Sequence, residues 1–216
     1  MQVFAKAPIP GLAKTRLAPA IGAQAAARLH AALVLRTLGT VVAARAAEVE
    51  LWATPDVDHP FFAECRRQFG VTVHAQTNGD LGARLGAALA AGLARRSQVV
   101  VVGCDCPTLS GSDIQEAFTA LGDGADAVIG PAVDGGYYLL GLRRFDAHLF
   151  SDIAWGGAEV LTRTRTRMAA LGWSWQELTT RWDVDRPGDL SRLVAMPGFD
   201  WANVLSGSWP PGRRAT

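Results

Sequence analysis

The stretch QVVVVG at residues 98–103 limits what this chain can fold into more than any other. Four valines follow one another with no polar residue between them. Side chains alternate between the two faces of a strand, so an unbroken apolar run marks a strand buried on both sides. Such a strand belongs to a parallel sheet covered by helices on each face. The neighbouring sequence fits that placement. Residues 2–5, 49–54, 71–75, 125–132 and 135–142 read as further strands, and helical spacing runs through 22–46, 59–69, 79–96, 112–121, 157–171 and 187–195. In the first of these helices Ala27, Leu33, Val34, Leu38 and Val41 share one face. The helix over 112–121 opens on a serine and an acidic first turn. Strands alternating with helices define a three-layer α/β/α domain with a mostly parallel central sheet. We place this single domain at residues 1–198 and read residues 199–216 as a C-terminal tail, loosest from 206 onward.

The 216 residues suffice for one domain with one core. A net charge of +1 argues against a global basic field for nucleic acid. With 49% hydrophobic and 19% charged residues, the chain reads as a compact enzyme rather than a disordered segment. Three cysteines, Cys65, Cys104 and Cys106, are too few and too unevenly placed for a disulfide framework. No leader-like apolar segment opens the sequence, and no apolar run suggests a bilayer span. The expectation is a cytoplasmic protein without nucleic-acid or membrane partners; exposed tryptophans late in the chain are compatible with a homodimer.

In open α/β sheets ligands bind beyond the carboxyl ends of the strands. The loop after the first strand, FAKAPIPGLAKTRL, lies there. Pro8, Pro10 and Gly11 shape its backbone, and Lys6, Lys14 and Arg16 can converge on one anion, the lysines as point charges and the arginine as a planar fork. The spacing is not that of a Walker A loop. The loop is read as a cradle for the phosphates of a nucleotide. Asp105, in GCDCP, directly follows the buried valines and so shares that rim. A carboxylate there suits Mg²⁺ (or Mn²⁺), which is commonly held by one or two carboxylates together with phosphates and water. As a helix cap Asp105 is less suited than Ser110 or Ser112. Cys104 and Cys106 lack a second ligand pair for zinc and are expected to pack inward.

In DVDRPGDL, Asp183 and Asp185 fall on one side of an extended segment, and either can meet Asp105 across a metal; Asp185 can also cap the helix begun by Pro187. In GPAVDGGYYLLGL, Gly135 and Gly136 permit a close backbone approach, and Asp134 can bond a hydroxylated substrate. RTRTR at 163–167 spreads its charges around a solvated helix. Trp155 is the tryptophan best placed to line a pocket, while at least half of the others should lie in the core.

Taken in order, FAKAPIPGLAKTRL, GDLGARL, GCDCPTLSGSDI, GPAVDGGYYLLGL, W-GGAEVL and DVDRPGDL resemble the family of radical-SAM/selenodomain-associated transferase 1 over about residues 2–195. That family belongs to the GT-A-type nucleotide-diphospho-sugar transferases. More distantly, the basic loop with its K-T-R-L resembles the 2-phospholactate guanylyltransferases, and the DVDRPGDL segment resembles the D-T-P-E-D-L of many nucleotidyltransferases. The resemblance implies a GT-A fold. It assigns the triphosphate to Lys6, Pro10, Gly11, Lys14, Thr15 and Arg16, and the metal to Asp105 and Asp185. Gly82 and Arg84, within 79–84, would face the nucleotide, and Asp134, Gly135, Gly136 and Tyr137 the second substrate, with Trp155 beside them. Lys14, Arg16 and Asp105 would be catalytic. Two departures stand out: GCDCP where members tend to have GTDSP, and Arg186 in place of a threonine. Neither removes a carboxylate.

The reaction implied is transfer of a nucleotidyl group from a nucleoside triphosphate to a phosphorylated small acceptor. One alternative is a glycosyltransferase using a nucleotide-sugar, although such enzymes usually carry a D-x-D pair where this chain has C-D-C. The other is a nucleotide-binding module without catalysis.

Overall fold

The computed structural model describes residues 1–206. In chain order the elements are β1 (Gln2–Lys6), α1 (Ala18–Ile21), α2 (Ala23–Ala44), β2 (Glu50–Thr54), α3 (Pro60–Phe69), β3 (Thr72–Ala75), α4 (Leu81–Leu93), β4 (Val99–Val102), α5 (Gly111–Gly122), β5 (Ala127–Pro131), β6 (Tyr137–Leu142), a 3₁₀ turn (Ala147–Phe150), α6 (Val160–Ala170), β7 (Trp175–Glu177), α7 (Asp189–Val194) and α8 (Trp201–Ser206). The strands form one sheet in the order β3-β2-β1-β4-β6-β5-β7. β6 runs antiparallel to β4 and β5, and every other pairing is parallel.

The four valines of β4 account for the layering. Val100 and Val102 enter the core formed with Val34, Leu38 and Val41 of α2 and with α3 and α5. Val99 and Val101 enter the opposite core, with Leu85, Ala88 and Leu89 of α4 and Leu161 and Met168 of α6. All four are at most 3% exposed, each a burial of about 1.5–3 kcal/mol in transfer free energy. α2 is long and apolar enough in composition to cross a bilayer, but its apolar face is spent on this core.

The helix over 112–121 begins slightly earlier than its sequence suggests. Ser110 is its N-cap, accepting from the Asp113 amide, while Asp113 Oδ2 accepts from the Ser110 amide at 2.8 Å. That reciprocal capping frees Asp105 from any capping duty. β7 escapes the sequence pattern because it is three residues long and mostly exposed. Residues 199–206, placed with the tail in the sequence reading, include α8, whose Val204 is buried beside Leu29 and Leu33 of α2. Arg28 Nε donates to the Val204 carbonyl at 2.7 Å. The remainder of that tail, residues 207–216, lies outside the described residues. Among the described tryptophans Trp52, Trp173 and Trp182 are buried and Trp155, Trp175 and Trp201 half-buried, so none of these offers the exposed surface expected late in the chain.

Candidate active site

The carboxyl ends of β1, β2, β3, β4, β5 and β7 reach the same edge of the sheet, which follows from their parallel sense. A cleft of about 500 Å³ opens along this edge. Its wall includes the loop after β1, Thr54 after β2, Gln76 after β3, Asp105 after β4, and the segment carrying Asp183 and Asp185.

The loop after β1 is bent by two left-handed residues, Gly11 (φ 82°) and Lys14 (φ 50°). Glycine adopts this region freely, whereas for lysine it is an unusual conformation held by its surroundings. Lys14 is held from the inside. Its side chain is only 4% exposed, and its Nζ lies 2.6 Å from Asp105 Oδ1 and also donates to the Val184 carbonyl. Two residues on, Arg16 Nη1 meets Asp185 Oδ2 at 2.5 Å in a more open setting. Two of the three cations assigned to phosphate thus each rest on one of the two carboxylates assigned to a metal. A backbone bond from the Val184 amide to the Asp105 carbonyl, 2.8 Å, ties the acidic segment to the end of β4. Lys6 stands exposed at the end of β1 and forms no such ion pair among the described residues.

Asp105, Asp183 and His30 are among the cleft groups displaced from their ordinary behaviour. Enclosure at the cleft floor would raise the Asp105 pKa, but the charge and hydrogen bond of Lys14, with Lys6 beyond it, outweigh it and hold the carboxyl below its usual range. Asp183 goes the other way. Burial first, then the neighbouring Asp105, Asp134 and Asp185, push it up to about 7. His30, on the buried face of α2, is lowered by burial and kept neutral; its Nε2 lies 3.0 Å from the Lys6 carbonyl. Since a carbonyl only accepts, Nε2 carries the proton and the buried Nδ1 is an unpaired acceptor.

The opposite wall is aromatic. Trp155 stacks on Phe150 with ring centroids 6.4 Å apart and meets Tyr137 edge-on at 6.5 Å. Gly82 makes room for it: a Cβ there would sit 2.4 Å from Trp155 Nε1. Gly135 (φ 90°) does the same for the chain before α6, since a Cβ would lie 2.0 Å from the Ala158 carbonyl oxygen. The Leu161 amide donates to the Gly135 carbonyl at 2.8 Å. Asp134 Oδ1 accepts from the Gly136 amide at 2.9 Å, which shapes the turn between β5 and β6.

Of the residues singled out in the sequence, Lys6, Lys14, Thr15, Arg16, Arg84, Asp105, Asp134, Gly136, Tyr137, Trp155 and Asp185 all line the cleft. Pro10 borders a separate groove against α2 and α3 instead. Gly11, Gly82 and Gly135 shape the wall rather than line it. Asp185 does not cap α7; Asp189 accepts from the Asp185 and Arg186 amides, leaving the Asp185 carboxylate to Arg16. Cys104 and Cys106 are buried, and burial raises both thiols, Cys106 to about 11. The structure adds His30, Gln76, Leu12 and Leu81 to the cleft lining, and Asp183 lines it as well. Asp183 was legible as half of a pair. Gln76 is fixed by its Nε2, which donates to the Trp52 carbonyl at 2.8 Å, and nothing in its sequence context signals that.

A mostly parallel sheet with one reversed strand, a basic loop after β1 and carboxylates at the rim of β4 define the GT-A-type nucleotide-diphospho-sugar transferase fold. A crystal structure from Desulfovibrio desulfuricans G20, assigned as a nucleotide-diphospho-sugar transferase, superposes with a TM-score of 0.82 at 31% identity, covering 95% of this chain and 93% of that one. Residues 37–157 match the family described as uncharacterized protein conserved in bacteria (DUF2064), and the chain belongs to that family. It is also 36% identical over 133 residues to a phosphoenolpyruvate guanylyltransferase of Rhodococcus erythropolis (strain PR4 / NBRC 100887). That match takes in 54% of this chain and 58% of the relative, so the chain spans less than two thirds of the relative's length. Glucosyl-3-phosphoglycerate synthase from Mycobacterium tuberculosis, crystallised with Mn²⁺, uridine diphosphate and glucosyl-3-phosphoglycerate, shares the fold at a TM-score of 0.54 and 12% identity, over 95% of this chain and 77% of that one.

Proposed function

We propose that this protein is a metal-dependent nucleotidyltransferase that moves a nucleoside monophosphate from a triphosphate to a phosphorylated small acceptor. Residues 1–198 act as the catalytic unit, in the cytoplasm where triphosphates are abundant. The observation that carries the reading is the meeting of Lys14 and Arg16 with Asp105 and Asp185 at the carboxyl rim of the sheet. Cations for phosphates and carboxylates for a hard metal occupy one small volume.

The donor set fits Mg²⁺ or Mn²⁺. The candidate ligands are all carboxylate oxygens, those of Asp105 and Asp185 in the cleft. That is the pattern of an ion held by one or two carboxylates and completed by phosphates and water. Asp105 and Asp185 would hold it, with Asp183 close by. When bound, such an ion neutralises charge on the phosphates and favours displacement at phosphorus.

The chain's own residues supply the rest. Lys6, Lys14 and Arg16 bind and orient the triphosphate oxygens and stabilise charge as it develops on the leaving group. An oxygen of the acceptor's phosphate attacks the α-phosphorus, the bond to the β-phosphate oxygen breaks, and pyrophosphate leaves. Asp134, Gly136 and Tyr137, with Trp155, form the side of the cleft that would receive the acceptor. Pyrophosphate release tests the reading: each nucleoside triphosphate is incubated with Mg²⁺ and phosphoenolpyruvate, the acceptor in the relative's name. Release that needs one triphosphate and the acceptor supports it, and no release with any triphosphate and a panel of phosphorylated acids overturns it.

Glycosyl transfer is the second reading, favoured by the aromatic wall of Trp155 and Tyr137, on which a sugar ring can stack. It predicts release of a nucleoside diphosphate from a nucleotide-sugar under the same conditions.

A further inference from the structure

The ion pairs that fill the cleft have a consequence for how ligands enter it. Lys14 Nζ is 2.6 Å from Asp105 Oδ1 and also donates to the Val184 carbonyl, so its charge sits on two hard oxygen atoms. Arg16 sits in the same way on Asp185. The backbone bond between Val184 and Asp105 holds the two acidic positions in one unit. Lys14 is nearly buried and spends two of its three N–H donors on Asp105 and Val184, so little of its charge is offered to a phosphate while it keeps these partners. Asp105 cannot give its full charge to a metal while it keeps Lys14.

We infer that Lys14 and Arg16 are exchangeable internal counter-ions of Asp105 and Asp185, so that a divalent cation and a nucleoside triphosphate bind strongly only together. Resting on the nucleotidyltransferase reading, the exchange runs as follows. Lys14 and Arg16 release their carboxylates to the cation and turn to the phosphates, and neither charge is left unpaired. A cation arriving alone displaces Lys14 without giving it a new partner. A triphosphate arriving alone finds its two best cations engaged. The two affinities are therefore linked, and the linkage is reciprocal. Lys14 acts on the metal through Asp105, as a positioning residue, before it acts on phosphate.

The test is binding of Mn²⁺, followed by calorimetry or by the loss of the free-ion spin-resonance signal, with and without a non-hydrolysable GTP analogue. In the unaltered protein Mn²⁺ alone should bind weakly, and the analogue should tighten it by about a hundredfold or more. Lys14→Met should tighten Mn²⁺ alone by about tenfold, ~1.4 kcal/mol, and reduce the coupling by a similar factor. Arg16→Met, at an exposed position where folding is not at stake, should show the same trend in smaller degree, about threefold. Mn²⁺ affinity that is unchanged or weaker in both variants without nucleotide overturns the exchange. Asp105→Asn separates the two ideas: if it leaves Mn²⁺ binding intact with the analogue present, the metal site of the proposed function fails, and the exchange with it. If it abolishes binding while both cation variants behave like the unaltered protein, only the exchange fails.

Discussion

The two walls of the cleft are built on different physics. One is ionic: Lys14 on Asp105, Arg16 on Asp185, and Asp183 pressed among carboxylates. The other is steric: Trp155, Tyr137 and Phe150 locked against one another and against the backbone of Gly82. An ionic wall can change partners when new charge arrives, because its energy lies in pairings that a ligand can replace. A packed wall keeps its shape, because its neighbours are already at contact distance and interiors resist small displacements. The first suits chemistry and the second suits positioning.

Substitutions can break that contrast. The largest effect on turnover should come from the ionic wall. Asp105→Asn should lower pyrophosphate release by about 10²–10³-fold, the scale of losing one charged group that stabilises a transition state. Trp155→Phe should cost less than about tenfold and act mainly on the acceptor's KM. Equal losses in the two variants would erase the distinction.

Stability should show the reverse order. Gly135→Ala places a Cβ 2.0 Å from the Ala158 oxygen at a positive φ, and Gly82→Ala places one 2.4 Å from Trp155. Each should cost about 1–3 kcal/mol, as overpacking does, seen as a melting point lower by roughly 2–10 °C. Gly103→Ala, at the ionic rim, meets nothing within 4 Å and should change stability by less than about 0.5 kcal/mol.

The pH dependence sharpens the ionic side. Asp183 titrates at about 7 in the folded protein, against about 3.9 when unfolded. Between those values the folded state holds the extra proton. The stability linked to Asp183 is therefore complete below about pH 4, falls as pH rises towards 7, and is level above it. Asp183→Asn removes that slope, so its gain in melting temperature over the unaltered protein should be greatest above pH 7 and vanish near pH 4. A gain that does not vary with pH would show that Asp183 titrates as an ordinary carboxylate. The smallest effect belongs to the surface. Arg165 pairs with Glu177 through two hydrogen bonds on α6 and β7, and Arg165→Ala should cost no more than about 1 kcal/mol.

Much of this molecule can be read from residue order. The valines of β4 announce a strand buried on both faces, and they are divided between the two cores as that reading requires. Asp105 follows from its place after that strand, and the three arginines of the RTRTR stretch of α6 lie at the surface, each paired to an acid. Partners across the chain are harder. That Lys14 turns inward to Asp105 depends on a loop bend and on a contact ninety-one positions distant, and composition carries neither. Gly82 and Gly135, assigned to ligands by resemblance, also make room for Trp155 and the Ala158 backbone, which residue order does not reveal because a missing Cβ reads the same whichever neighbour needs the room. His30 is hidden for a similar reason: within α2 it keeps the spacing of a core residue, and only the fold brings its ring to the Lys6 carbonyl.

The most direct test of a nucleotide-and-metal cleft is a melting curve of the unaltered protein and of Asp105→Asn, each with GTP and Mn²⁺ together. A ligand at a hundred times its Kd adds about 2.7 kcal/mol, which at this chain length corresponds to about 5–10 °C. The expected result is a rise of that size in the unaltered protein and almost none in Asp105→Asn. No rise with GTP or any other triphosphate, or the same rise in both proteins, would contradict a triphosphate held through a metal on Asp105.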